Sequence, residues 1–217
     1  MLRYRTIPVT AFAQNCSLVW CDQTMKGAFV DPGGDAERLY RAAESAGVTI
    51  DQVLLTHAHI DHAGFADEVA KHYGVPIIGP HRGDKFWIDG MVRQGQMFGL
   101  AGARSFVPER WLEDGDTVEV GNVRFDVRHC PGHTPGHVVF HNPEAKRAFV
   151  GDVLFNGSIG RTDFPGGNHG TLIASITERL WPMGDDTVFI PGHGPESTFG
   201  EERRSNPFVA DAVTSAR

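Results

Sequence analysis

Cysteine is scarce in this chain. Its 217 residues include three, Cys16, Cys21 and Cys130, and no two of them have CxxC spacing. An odd, scattered set of thiols supports neither a disulfide framework nor a thiolate zinc finger. Positive charge is also short: 20 Lys and Arg against 27 Asp and Glu, a formal net charge of −7. Binding a phosphate backbone needs a positive field, so no nucleic-acid partner is expected. No apolar run approaches the roughly 20 residues that cross a bilayer. The opening MLRYRTIPVT lacks the apolar stretch of a secretion signal. A cytoplasmic protein with no membrane partner is the expectation. No Ser/Pro-rich linker, charge block or close repeat divides the sequence. With 41% apolar and 22% charged residues it has ordinary globular composition, and residues 1–217 read as one domain. What the sequence has in quantity is histidine, 11 in all.

Short strands alternate with helices along the chain. Arg3 to Val9, Ser17 to Cys21, Ala28 to Val30 and Val53 to Leu55 read as strands. Asp35 is expected to cap a helix striped by Leu39, Ala42, Ala43 and Ala46 and stopped by Gly47. A polar loop, Thr56 to His62, leads to a helix carrying Phe65, Val69 and Tyr73. Pro76 to Gly79 reads as a strand, and Asp84 to Phe98 as helical, with Gly90 and Gly95 working against it. Thr117 to Val120 and Val123 to Val127 form a hairpin about Gly121-Asn122. His137 to Phe140 and Arg147 to Val150 are strands. A last helix holds Leu172, Ile173, Ile176 and Leu180, and Val188 to Ile190 is the last strand. This spacing gives α/β or α+β, without a topology.

The segment Thr56-His57-Ala58-His59-Ile60-Asp61-His62 follows a buried strand. In an extended loop, residues two apart point the same way, so His57 and His59 can converge on one ion. Asp61 and His62 aim elsewhere and suit a second ion. Three later segments each place one donor in a Gly-containing turn just past a strand: Cys130-Pro131-Gly132-His133, Gly151-Asp152 and Pro191-Gly192-His193-Gly194. Any one of these alone is more often a hydrogen-bonded buried polar residue than a ligand. Four donors within six residues, with three more at strand ends, point jointly to a metal centre. No GxSxG offers a serine nucleophile, and Cys130 reads as a packed thiol.

HxHxDH at His57 to His62, followed in order by His133, Asp152 and His193, resembles the metallo-β-lactamase superfamily over nearly the whole chain. The resemblance implies a four-layer αββα sandwich of the α+β class, with two mixed sheets inside and the site at one edge. It implies one ion on His57, His59 and His133, a second on Asp61, His62 and His193, and Asp152 bridging both. Zinc is the expected ion, and the same ligands accept iron and manganese. Asp152 favours glyoxalase-type hydrolases over β-lactamases, which usually carry Cys or Ser there. His59 argues against flavodiiron proteins, which usually carry Glu at that position.

TAFAQNCSLVW, LLTHAHIDHAG, HCPGHTPGH, VGDVLF, GRTDFPGG and IPGHGP are most similar to small, single-domain glyoxalase II. That implies a methylglyoxal-detoxifying enzyme in which a hydroxide between the two ions, with Asp61 and Asp152 as catalytic carboxylates, hydrolyses S-lactoylglutathione to D-lactate and glutathione. No separate C-terminal glutathione-binding domain is expected. Arg161 is a candidate for a substrate carboxylate, against an ordinary loop salt bridge. Asp163 is expected to orient a ligand histidine. His129, His137 and His169 are expected to be structural, and His72, His81 and His141 to lie at the surface. Phe86, Trp87, Met91, Met97, Phe98 and Leu100 either roof the site or pack in the core. Two other readings stand beside the hydrolase. One is a persulfide dioxygenase, similar in GRTDF, with a single iron on His57, His133 and Asp152; the Cys usual in that group is Ile159 here, which favours the hydrolase. The other is a non-catalytic metal-binding protein.

Overall fold

The computed structural model describes residues 1–215. Strands β1 (Leu2–Val9), β2 (Gln14–Cys21), β3 (Lys26–Val30), β4 (Thr49–Leu54) and β5 (Ile77–Ile78) form one sheet in that order. The second sheet uses β6 (Thr117–Val120), β7 (Val123–His129), β8 (Val138–Asn142) and β9 (Arg147–Gly151). A small hairpin, β10 (Leu154–Phe155) with β11 (Ser158–Ile159), stands apart. Then β12 (Val188–Pro191) and β13 (Ser197–Thr198) complete the second sheet in the order β13-β12-β9-β8-β7-β6. The helices are α1 (Ala36–Ala46), α2 (Ile60–Ala63), α3 (Ala66–Tyr73), α4 (Lys85–Asp89), α5 (Met91–Phe98), α6 (His169–Ala174), α7 (Phe199–Ser205) and α8 (Asp211–Thr214).

Period-two alternation builds the layers. In β2, Cys16 and Leu18 face a core shared with Leu39 and Ala43 of α1 and Val69 of α3. Their neighbours Val19 and Cys21 face a second core, between the sheets, with Leu54, Phe125, Phe140, Phe149 and Ile190. In the second sheet Val139, Ala148 and Val150 face a third core, with Leu172, Ile176 and Phe199. Three cores separate four layers, helices, sheet, sheet, helices, as the resemblance implied. Each fully buried Leu, Val or Phe contributes about 1.5–3 kcal/mol, so both sheets are fixed face to face.

Strand direction gathers the site. β7 and β9 both run antiparallel to β8, and β12 is parallel to β9. All three therefore deliver their following loops at the same end of the sheet. The turns after β7, β9 and β12 carry His133, Asp152 and His193. Across the sandwich, the loop after β4 carries His57 and His59.

Several local expectations are corrected. Asp35 does not cap α1: it is left-handed at φ 50° and makes no side-chain cap bond. Its carboxylate instead accepts the Thr10 backbone N–H at 2.8 Å. The segment 84–98 breaks at Gly90 into α4 and α5. The helix through Leu180 continues past α6 as a π-helical stretch, Ser175–Leu180, and is not the last: α7 and α8 follow. His141 is buried at 7% exposure, on β8, rather than at the surface.

Candidate metal centre

The polar loop after β4 does two things. His59 is extended (φ −69°, ψ 154°), and the next residues, Ile60–Ala63, wind into α2. The extended part presents His57 and His59 to one place, and the helical turn swings Asp61 and His62 to another. His57 and His62 are fully buried, His133 is 3% exposed, and His59 and Asp152 are each 8% exposed. Side-chain donor atoms of His57, His59 and His133 lie within 4.8 Å of one another, as do those of Asp61, His62 and His193.

Asp152 stands between the two groups. Its Oδ1 is 3.2 Å from His62 Nε2, and its Oδ2 is 3.5 Å from His133 Nε2 and 3.8 Å from His193 Nε2. Asp61 Oδ2 is 3.2 Å from His193 Nε2. All seven sequence candidates thus converge.

Hydrogen bonds behind the histidines set their tautomers. Thr56 Oγ1 donates to Asp31 Oδ2 at 2.6 Å, so it accepts from His57 Nδ1 at 3.0 Å. His62 Nδ1 is 2.9 Å from the same Asp31 oxygen, and His133 Nδ1 is 2.7 Å from the Arg161 carbonyl. In each case Nδ1 faces these partners, which turns Nε2 inward. His57 Nε2, His62 Nε2 and Asp152 Oδ1 are buried without a hydrogen-bond partner. Buried polar atoms are normally satisfied, and a cluster of bare imidazole and carboxylate donors is what a divalent cation requires.

The surrounding glycines leave room for these groups. A Cβ on Gly192 would lie 2.1 Å from Asp152 Oδ1 and 2.5 Å from His62 Cε1, so any side chain there would displace them.

Charge follows the same layout. Burial, reinforced by neighbouring imidazoles, pushes His57 well below the usual histidine range, and it pushes His59 down to about 3. At His62 burial opposes protonation, yet Asp152 and Asp61 hold the ring well above its usual range. Burial also works against ionising Asp152, but His62, His133 and His193 keep its carboxylate far below normal. The three-histidine half is therefore neutral, and the other half pairs the carboxylates with His62 and His193, whose rings are held above the usual range.

Residues that the sequence did not single out support the site. Asp31 is 2% exposed and also accepts the Thr56 N–H at 2.7 Å. His137, expected to be structural, accepts the Asp152 N–H at 3.0 Å and stacks on His57 with ring centroids 4.6 Å apart. Asn15 Nδ2 donates to the carbonyls of Pro191 and Gly194 at 3.0 and 2.8 Å, fixing the His193 turn. Asp84 is fully buried and accepts three hydrogen bonds. Burial pushes its carboxyl up to about 6, against the pull of those bonds.

Asp163 does not orient a histidine: its exposed carboxylate accepts from Arg161 Nε at 2.9 Å and Nη2 at 2.7 Å. Arg161 is the nearest cation in sequence and captures it, while the Arg161 backbone carbonyl holds His133. The Arg161 guanidinium lies 4.5 Å over the Phe164 ring. Of the apolar group between residues 86 and 100, Trp87 packs edge-on against His59 at 4.6 Å, Met91 is core, and Met97 is exposed. Phe164 packs on His59 and His133, and Phe155 on His193.

A family model described as the metallo-beta-lactamase superfamily matches residues 9–193. A Haemophilus influenzae protein named hydroxyacylglutathione hydrolase GloC is 48% identical over 204 residues, 94% of this chain and 96% of that protein. The solved structure of BLEG-1 B3 metallo-beta-lactamase matches with TM-score 0.88 and 33% identity, over 95% of this chain and 99% of that one. That of TTHA1623 in a di-iron-bound form matches with TM-score 0.86 and 36% identity, over 94% and 100%.

Proposed function

This chain belongs to the metallo-beta-lactamase superfamily, and on that premise we propose that it hydrolyses glutathione thioesters, S-lactoylglutathione and water giving D-lactate and glutathione. The observation that carries the reading is the set of inward, unpartnered donors, His57 Nε2, His62 Nε2 and Asp152 Oδ1. The 48% identical hydroxyacylglutathione hydrolase supports the substrate class. His57, His59 and His133 would hold one divalent ion, Asp61, His62 and His193 a second, and Asp152 both. Zinc, iron and manganese all suit this donor set. Such ions supply Lewis acidity and lower the pKa of water toward neutrality.

The remaining work falls to the chain itself. Asp31, through Thr56 and His62, fixes the ring orientation on both sides. Trp87, Phe164 and Phe155 pack against His59, His133 and His193 and give one face an apolar lining, which would strengthen electrostatic contacts beside it. Asp61 is held ionised below the usual carboxylate range: burial works against the charge, and His62 and His193 outweigh it. In this reading it serves as a ligand and charge partner of His193, 3.2 Å away. No thiol competes as nucleophile at the site: all three cysteines are fully buried, Cys21 in the core between the sheets, and burial pushes Cys130 up to about 12. In this reading a substrate carboxylate would compete with Asp163 for the Arg161 fork. The proposed catalytic unit is residues 1–217 as one domain. No helix among the described residues is long and apolar enough to cross a membrane.

The test is free-thiol release from S-lactoylglutathione by metal-loaded protein, with chelator abolishing turnover and metal restoring it. Metal-loaded protein that leaves the thioester intact contradicts the proposal. Oxygen uptake with glutathione persulfide at one iron per chain would transfer it to the dioxygenase reading, and opening of a β-lactam ring to lactam hydrolysis.

A further inference from the structure

We propose that Asp84 is a positioning residue that fixes the three-histidine half of the metal centre and leaves the other half untouched; this rests on the metal-dependent reading above. Asp84 lies in the 3₁₀ turn Arg82–Asp84 before α4, more than twenty residues from any candidate ligand in sequence. Its Oδ2 accepts the Ala58 backbone N–H at 3.0 Å and the Thr134 hydroxyl at 2.8 Å. Its Oδ1 accepts the Gly136 N–H at 2.6 Å. Ala58 stands between His57 and His59, and Thr134 directly follows His133. One carboxylate therefore ties together the two loops that carry all three histidines of this half.

The backbone is shaped for this clamp. The His81 N–H donates to the Gly136 carbonyl at 3.0 Å, joining the turn to the His133 loop a second time. A Cβ on Gly83 would lie 2.9 Å from the Pro135 carbonyl, and one on Gly136 would lie 2.4 Å from the Asp84 nitrogen. The two segments touch backbone to backbone, an approach that glycine permits. Asp61, His62 and His193 receive no hydrogen bond from Asp84. His62 relies on Asp31 instead.

Asn at position 84 keeps the shape but cannot keep the bonds. If its amide nitrogen takes the Oδ1 place, it faces the Gly136 N–H. If it takes the Oδ2 place, it faces the Ala58 N–H. Either way a donor meets a donor, and one loop loses its acceptor in a fully buried site. Thr134→Val removes a single bond and keeps the volume.

The test is cobalt(II) titration of metal-free protein, followed by absorption, in two backgrounds that each isolate one half. Asp61→Ala leaves the three-histidine half, and His133→Ala leaves the other. Adding Asp84→Asn is expected to weaken cobalt binding about 10–100-fold in the first background, the usual effect of losing a residue behind metal ligands, and to change nothing in the second. Thr134→Val is expected to give a smaller loss in the first background only, and it carries the test if Asp84→Asn fails to fold. Equal weakening in both backgrounds overturns the proposal. So does a lowered melting temperature of the metal-free chain with unchanged cobalt affinity, which is what a merely structural clamp would give. A parent chain that takes up no cobalt contradicts the metal-dependent reading itself, and this inference falls with it.

Discussion

Asp152→Ala is expected to reduce thioester hydrolysis by at least about 10²–10³-fold, the range for removing one preorganised electrostatic group, in a chain that still folds. The effect is large because this carboxylate alone faces both halves: His133 from one, and His62 and His193 from the other. Without it, five imidazoles and Asp61 confront one another with no shared anion, and ion content should fall below two per chain. The fold survives because no backbone group depends on the carboxylate. Oδ1 has no hydrogen-bond partner, and the Asp152 backbone N–H goes to His137. Thiol release, bound metal and circular dichroism on one preparation check this. Full turnover in the variant would remove Asp152 from the centre.

Asp61→Ala should behave differently. Asp61 belongs to one half only, 3.2 Å from His193 Nε2 and 3.9 Å from His62 Nε2. No ion pair joins its carboxylate to His57, His59 or His133 among the described residues. The expected result is loss or weakening of one ion, retention of the other, and a rate loss of about 10²-fold or more. Metal quantification beside steady-state kinetics separates the outcomes. Unchanged turnover excludes Asp61 from the mechanism, and loss of both ions contradicts the division into two halves.

The candidate ligands were legible in the sequence because they are local. All follow apolar strand runs, and His133, Asp152 and His193 lie in glycine-bearing turns where strand ends hold such groups rigidly. Four of them fall within His57 to His62, where the switch from extended chain to α2 does the aiming. The succession of short strands, among them Ser17 to Cys21 and His137 to Phe140, was equally readable. Its assembly into four layers came from family resemblance, since periodicity within a strand says nothing about which sheet it joins.

What was illegible depends on distance along the chain. Asp84 reads as one more acid at a helix start until Ala58, Thr134 and Gly136 are brought to it. Asp31 acquires its role only when β3 lies beside β4. Asp35 has the residue type of a helix cap, but the Thr10 N–H takes its carboxylate. Asp163 was assigned to a histidine by proximity in sequence, yet Arg161, two residues away, captures it at the surface. Helices α7 and α8 escaped notice because Phe199–Ser205 is mostly charged and buries little beyond Phe199, Gly200 and Glu202.

Everything proposed here depends on seven side chains holding two divalent ions. The most direct measurement is metal per chain in protein loaded with zinc, iron or manganese and then dialysed, repeated on the His57→Ala/His62→Ala double variant. Two ions per parent chain and none in the variant is the expected result. A parent that retains no ion, or a variant that retains as much as the parent, would contradict it.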